Sequence, residues 1–298
     1  MSTKTIISAN QLTKYYGKVI GINKITFTVN KGEIFGFLGP NGAGKTTTIR
    51  LLLDLLRPTS GEIAIFGKTL PHNSYEIRQK CGYLPGDFSP YKNLTGEEFL
   101  NLSAKIRGVN PVLQHMLINE FALENSLTRK IKHLSHGNRQ KIGIIQAFFH
   151  EPELVILDEP TIGLDPLIQE KFYIFLRQYQ KSGKTIFFSS HNLPEVEKIC
   201  NRVAIIRKGE LVALETLEAL RKKRYRRLKI TLKRPVDQLK LPNAKLYKKQ
   251  GLNLEFLIKG ESATLIKHLS KLPIADFTYP EPDLEEIFMY YYREEKHD

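Results

Sequence analysis

The segment GPNGAGKT, residues 39–46, constrains this chain more than any other stretch. It fits G-x-x-x-x-G-K-[ST] and lies between a β-branched and aromatic run, KITFTVNKGEIFGFLG (24–39), and a helically periodic run, TTTIRLLLDLL (46–56). A strand, a glycine-rich turn and a helix in that order form a cradle for phosphate. The glycines let backbone N–H groups turn inward on an anion. The helix that follows directs its positive end at the same point. In such a loop Gly39, Pro40, Asn41, Gly42, Ala43 and Gly44 wrap the phosphates. Lys45 reaches the β- and γ-phosphates, Thr46 places its hydroxyl on Mg2+, and Thr47 is a candidate for a further phosphate contact.

Two further segments carry chemistry. LVILDEP (154–160) is a continuous apolar run, as a buried parallel strand requires, and it ends in two acids. Burying carboxylates is expensive unless they bind something. Asp158 is placed to hold Mg2+ through water, and Glu159, one residue on, to polarise an attacking water as general base. LSHGNRQK (134–141) reads by composition alone as a polar helix start, N-capped by Ser135.

Taken together, the motifs resemble those of ABC ATPases. Ser135-x-Gly137 followed by Gln140-Lys141 lies between the phosphate loop and the acid pair, where that family has its signature. GLDP (163–166) looks like its D-loop, and His191 after KTIFFSS like its switch histidine. Tyr16, in KYYG, stands where the family stacks an aromatic ring on adenine. The resemblance spans residues 5 to about 215. It implies an α/β fold: a P-loop NTPase core with a parallel sheet, an antiparallel β subdomain and a helical subdomain, followed by a small α+β C-terminal domain. It implies ATP with Mg2+ as ligands, and ATP hydrolysis. Two copies would face each other head to tail, each ATP held by the phosphate loop of one and by Ser135 and Gly137 of the other. His191 would hydrogen-bond the γ-phosphate and the water, and Asp165 would lie at the dimer seam. Hydrolysis would remove the anion that holds the halves together, opening the dimer.

The sequence departs from the family at three positions. His136 and Asn138 stand where the signature commonly has Gly and Gln. Gly86, in GYLPGD (82–87), occupies the place of a glutamine that touches Mg2+ and the water. Asp87 follows it, and the expectation is that Asp87 or a water takes over part of the metal contact.

The patterning divides the chain into a nucleotide-binding domain at 1–220, with a helical part at about 90–150, and an accessory domain at 221–298. Within the helical part, Thr95 and Glu98 predict a capping box. The accessory domain reads as short strands, a helix, a strand and a last helix in DLEEIFMYYYREE. It is similar to the domain often appended to ABC-2 type exporting subunits. The net charge is +14 overall, but RKKRYRRLKITLKR (221–234) holds nine basic residues and no acidic one, which leaves +5 for the rest. That strip suits either anionic lipid headgroups or a solvated strand edge. Nucleic acid is disfavoured, because no aromatic RNA platform or recognition helix accompanies it. Cys81 and Cys200 have no metal-like spacing and read as reduced structural thiols. No run of about 18 apolar residues exists, and the N-terminus lacks the pattern of a secretory signal. The expected place is therefore the cytosol, at the inner face of the membrane, and the expected partner a separate integral membrane permease.

The leading reading is the energising subunit of an exporter. A soluble ABC ATPase acting on ribosome or DNA is the alternative. The single phosphate loop and signature, and the lack of sustained heptads, weigh against it. A module that merely senses ATP is weighed down by the intact Glu159 and His191.

Overall fold

The computed structural model describes residues 4–223, 225–236, 239, 241–259 and 262–280. The chain forms two compact units, Met1–Leu214 and Glu215–Asp298.

The first unit opens with two long strands, β1 (Thr5–Tyr16) and β2 (Val19–Asn30), paired antiparallel around a turn at Gly17. The turn at Lys31–Gly32 does not fold the next strand, β3 (Ile34–Leu38), back on β2. It carries the chain into a different sheet. The phosphate loop follows, then α1 (Lys45–Leu52). This helix is shorter than the periodicity of residues 46–56 predicts. Asp54 takes a positive φ of 53°, which breaks the helical run before Pro58. β4 (Ser60–Ile65) and β5 (Lys68–Thr69) return to the first sheet, whose order is β2-β1-β4-β5.

After α2 (Ser74–Gln79) and β6 (Cys81–Leu84) come α3 (Gly96–Arg107), α4 (Pro111–Glu120) and α5 (His136–Phe148). α3 carries the capping box: Thr95 Oγ1 accepts from Glu98 N at 3.1 Å, and Glu98 Oε2 accepts from Thr95 N at 2.8 Å. β7 (Leu154–Asp158), α6 (Pro166–Lys181), β8 (Thr185–Ser190), α7 (Leu193–Ile199), β9 (Arg202–Arg207) and β10 (Glu210–Thr216) complete the unit. The second sheet has the order β10-β9-β3-β8-β7-β6. Its β9, β3, β8, β7 and β6 run parallel. β3, β7 and β8 are buried along their whole length, which explains their unbroken apolar sequences.

One core joins the two sheets. Phe27 of β2, Phe35 and Phe37 of β3 and Phe187 of β8 pack ring against ring, with centroids 5.3–6.2 Å apart. A second aromatic cluster, Phe148, Phe172, Phe175 and Tyr179, meets edge to face between α5 and α6. The second cluster meets the start of β7, where Tyr179 Oη donates to Pro152 O at 2.8 Å.

The second unit holds α8 (Leu217–Lys223), β11 (Tyr225–Leu232), β12 (Ala244–Gln250), β13 (Asn253–Lys259), α9 (Ser262–Leu269) and β14 (Ile274–Thr278). Its antiparallel sheet has the order β12-β13-β11-β14. Leu228, Ile230 and Leu232 alternate inward to meet Leu254, Phe256, Ile258, Leu265 and Leu269. Arg226, in the basic strip, lies over the Tyr279 ring at 3.9 Å and donates to Tyr279 O at 2.9 Å. The expected last helix in DLEEIFMYYYREE lies outside the described residues.

Phe187 is fully buried and touches three other aromatic rings. Phe187→Ala is expected to destabilise the chain by about 3–5 kcal/mol, read as a lower denaturant midpoint with an unchanged slope.

Candidate nucleotide site

The phosphate loop emerges from β3 and is anchored on both sides. Gly39 N donates to Ser190 O at 3.2 Å, and Gly209 N donates to Ala43 O at 2.9 Å. Gly44 has φ +111°, and a Cβ there would meet Gly21 O at 2.8 Å. A Cβ at Gly39 would meet Ile206 O at 2.4 Å. Both glycines are therefore required by backbone packing as well as by the phosphate they are expected to hold. Lys45 is buried and donates to Gly39 O at 2.6 Å and Pro40 O at 3.2 Å.

The acid pair meets this loop. Asp158 is 1 % exposed. Its Oδ2 accepts from Thr46 Oγ1 at 2.8 Å and its Oδ1 from Ser189 Oγ at 2.6 Å. Glu159 has a positive φ of 50°, and its backbone N–H donates to Ser189 O at 3.1 Å. Its Oε1 lies 3.2 Å from Lys45 Nζ. That is a charge contact without hydrogen-bond alignment, since Oε1 is buried and has no hydrogen-bond partner. Its Oε2 lies 2.9 Å from His191 Nδ1. Lys45, Thr46, Asp158, Glu159 and His191 thus form one contact network.

Tyr16 is 45 % exposed, with its hydroxyl 3.4 Å from Thr47 Oγ1, so the ring stands beside the start of α1. Ser135 and Asp165 are exposed N-caps: Ser135 Oγ accepts from Asn138 N at 3.2 Å, and Asp165 Oδ1 from Ile168 N at 3.0 Å. The structure brings neither into the Lys45–His191 network. It joins Gly137 to the loop after the acids instead. A Cβ at Gly137 would meet Gly163 O at 2.5 Å, and a Cβ at Gly163 (φ +78°) would meet His136 Nδ1 at 2.2 Å. Gln140, 2 % exposed, donates to Pro160 O at 3.0 Å. The start of α5 and residues 160–163 therefore interlock, a contact between motifs that no local spacing shows.

Gly86 lies beside Asp158. A Cβ at Gly86 would be 3.4 Å from the Asp158 carboxyl. The chain bends at Gly86–Asp87, and Asp87 lines a cavity of about 520 Å³ with Tyr83, Phe88, Tyr91, Arg107 and His150. Arg107 Nη1 donates to Arg78 O at 2.8 Å and Cys81 O at 2.9 Å. Burial first, then the Arg107 charge, pulls the His150 imidazole down to about 4. Burial, followed by the charge of Asp158, pushes the Tyr83 phenol up to about 12. Cys81 and Cys200 are buried free thiols.

Comparison with known proteins agrees with this geometry. The ABC transporter family's sequence model matches residues 22–162. The bacitracin transport ATP-binding protein BcrA of Bacillus licheniformis is 40% identical over 230 residues, covering 76% of this chain and 75% of that protein. This chain belongs to the ABC transporter ATP-binding proteins. The linearmycin resistance ATP-binding protein LnrL of Bacillus subtilis is 36% identical, covering 71% of this chain and 69% of its own length. A solved ATP-binding subunit of an ABC transporter superposes with TM-score 0.68 at 34% identity, over 73% of this chain and 92% of that one. A dimeric cassette bound to ADP and Pi shares the fold, with TM-score 0.65 at 23% identity over 71% and 99%. The fold is the ABC ATPase cassette, and the chain is an ATP-binding, ATP-hydrolysing P-loop NTPase.

Gly163→Ala is expected to lower the melting temperature more in the native background than in a His136→Gly background. Removing the imidazole relieves the overlap and leaves only the strain of the positive φ, about 1 kcal/mol. Equal losses in both backgrounds would show that the two residues do not compete for the same space.

Proposed function

We propose that this chain is the ATP-hydrolysing motor of an exporter whose membrane-spanning permease is a separate polypeptide. What carries the reading is the contact network of Lys45, Thr46, Asp158, Glu159 and His191 at the phosphate loop. Lys45 and the loop amides hold the β- and γ-phosphates, and the exposed Tyr16 ring stacks on adenine. Thr46 Oγ1 and Asp158 Oδ2, 2.8 Å apart, form an oxygen pair that suits Mg2+ together with phosphate oxygens and water. When bound, the ion neutralises charge on the transferring phosphate. Glu159 takes the proton of the attacking water, and His191, on Glu159 Oε2, orients water and γ-phosphate.

A second copy completes the site. Ser135 and Asp165 are exposed caps, so Ser135 with Gly137 at the start of α5 is free to meet the ATP of a facing copy. Relatives named for bacitracin transport and linearmycin resistance support export of a drug-like cargo. Among the described residues no helix is long and apolar enough to cross a membrane, which suits a permease encoded separately. The cavity between Tyr83, Phe88 and Arg107 suits its docking, because residues 85–87 run from that cavity to Asp158. Lys229, Lys233 and Arg234 are exposed and suit contact with anionic headgroups at the inner face of the membrane.

Glu159→Gln is expected to lower turnover about 10²- to 10⁴-fold and to accumulate dimer at saturating ATP on size exclusion. A monomer under those conditions would rule out the head-to-tail arrangement. Lys45→Ala should abolish ATP binding in calorimetry. Affinity purification from detergent-solubilised membranes should recover a multi-span protein, whereas recovery of ribosomes would favour the soluble alternative.

A further inference from the structure

We propose that Glu195, in the first turn of α7, is a positioning residue that sets the separation of Glu159 from His191. Both of its carboxylate oxygens are engaged. Oε1 accepts from Thr161 Oγ1 at 3.0 Å, and Oε2 accepts from Ser190 Oγ at 2.9 Å. Thr161 lies two residues after Glu159, and Ser190 immediately precedes His191. Glu159 and His191 meet at 2.9 Å. The contacts therefore close a ring through Glu159, Pro160, Thr161, Glu195, Ser190 and His191.

The ring leaves little freedom. Thr161 is 3 % exposed and Ser190 is fully buried, so each hydroxyl needs a partner inside the protein. One carboxylate satisfies both with charge-assisted bonds, stronger than neutral ones. Ser190 Oγ also accepts from Asn192 N at 2.9 Å, which bridges the backbone across His191. Tyr173 packs beside the same carboxylate, and its phenol is held protonated by burial first and then by the Glu195 charge. Glu195 is thus fixed from α6 and α7 while it ties the end of β7 to the end of β8. Glu195 bonds no residue of the phosphate loop itself. Ser190 meets the loop only through its backbone oxygen, which accepts from Gly39 N at 3.2 Å and which Glu195 does not touch. The expected effect therefore falls on the base and the histidine more than on phosphate binding. A small displacement of reacting groups is costly in rate.

This inference rests on the roles given above to Glu159 and His191. The test is steady-state ATPase kinetics on purified full-length variants, with melting temperatures as a check on folding. Glu195→Ala should lower kcat about 10- to 100-fold while the KM for ATP stays within about threefold. Glu195→Gln should recover most of the turnover. Its carboxamide oxygen accepts from one hydroxyl, and its NH2 group donates to the other, whose rotor can turn. In a His191→Ala background, Glu195→Ala should cost less than about twofold more, because the ring is already open. An unchanged kcat in Glu195→Ala, a KM that rises in step with the loss, or a full additional loss in the His191→Ala background would each overturn the proposal. If Glu195→Ala does not fold, Ser190→Ala, which removes one arm of the bridge, is measured by the same criteria. Full turnover in Glu159→Gln and His191→Ala would sink the underlying roles. Loss in those variants with an unaffected Glu195→Ala would sink only the positioning.

Discussion

The buried carboxylate of Asp158 is the interaction on which the site depends. It sits at the end of β7 with almost no solvent contact, and its oxygens are held by Thr46 on α1 and Ser189 on β8. An unpaired charge at that depth would be expelled or neutralised. The two hydroxyls hold it in place, and in doing so they fasten the helix of the phosphate loop to two strands of the parallel sheet. Glu159 and His191 then follow from geometry, one residue past the carboxylate and one residue past the strand that binds it.

Much of this was legible in the sequence because the chemistry is local. The phosphate loop, the acid pair and Ser135 as a cap are each readable from a few consecutive residues, and the capping box at Thr95 and Glu98 is a four-residue pattern. Strands β7 and β8 were legible as unbroken apolar runs, since burial on both faces leaves no alternation to hide them.

What the sequence withheld is long-range. Nothing in residues 24–39 shows that the turn at Lys31–Gly32 switches sheets, because a Lys-Gly turn serves a hairpin as well. The overlap of His136 with Gly163, and the bridge of Glu195 between Thr161 and Ser190, join residues 27 to 34 positions apart in sequence. Asp87 stands one residue past the glutamine's place, and its position on the wall of the cavity is likewise not readable from the spacing. The end of α1 is hidden because the apolar period continues through residues whose backbone leaves the helix.

The strand that carries the phosphate loop has no neighbour close to it in sequence. β3 is bounded by β8 and β9, so Ile34 pairs with Ile186 and Phe35 with Arg202. On the ribosome, where chains emerge N-terminus first, the loop is among the earliest functional segments to appear. Yet its supporting strands arrive some 150 residues later, and distant pairings of this kind form slowly. A nascent chain therefore carries the phosphate-binding residues long before it has the structure to use them.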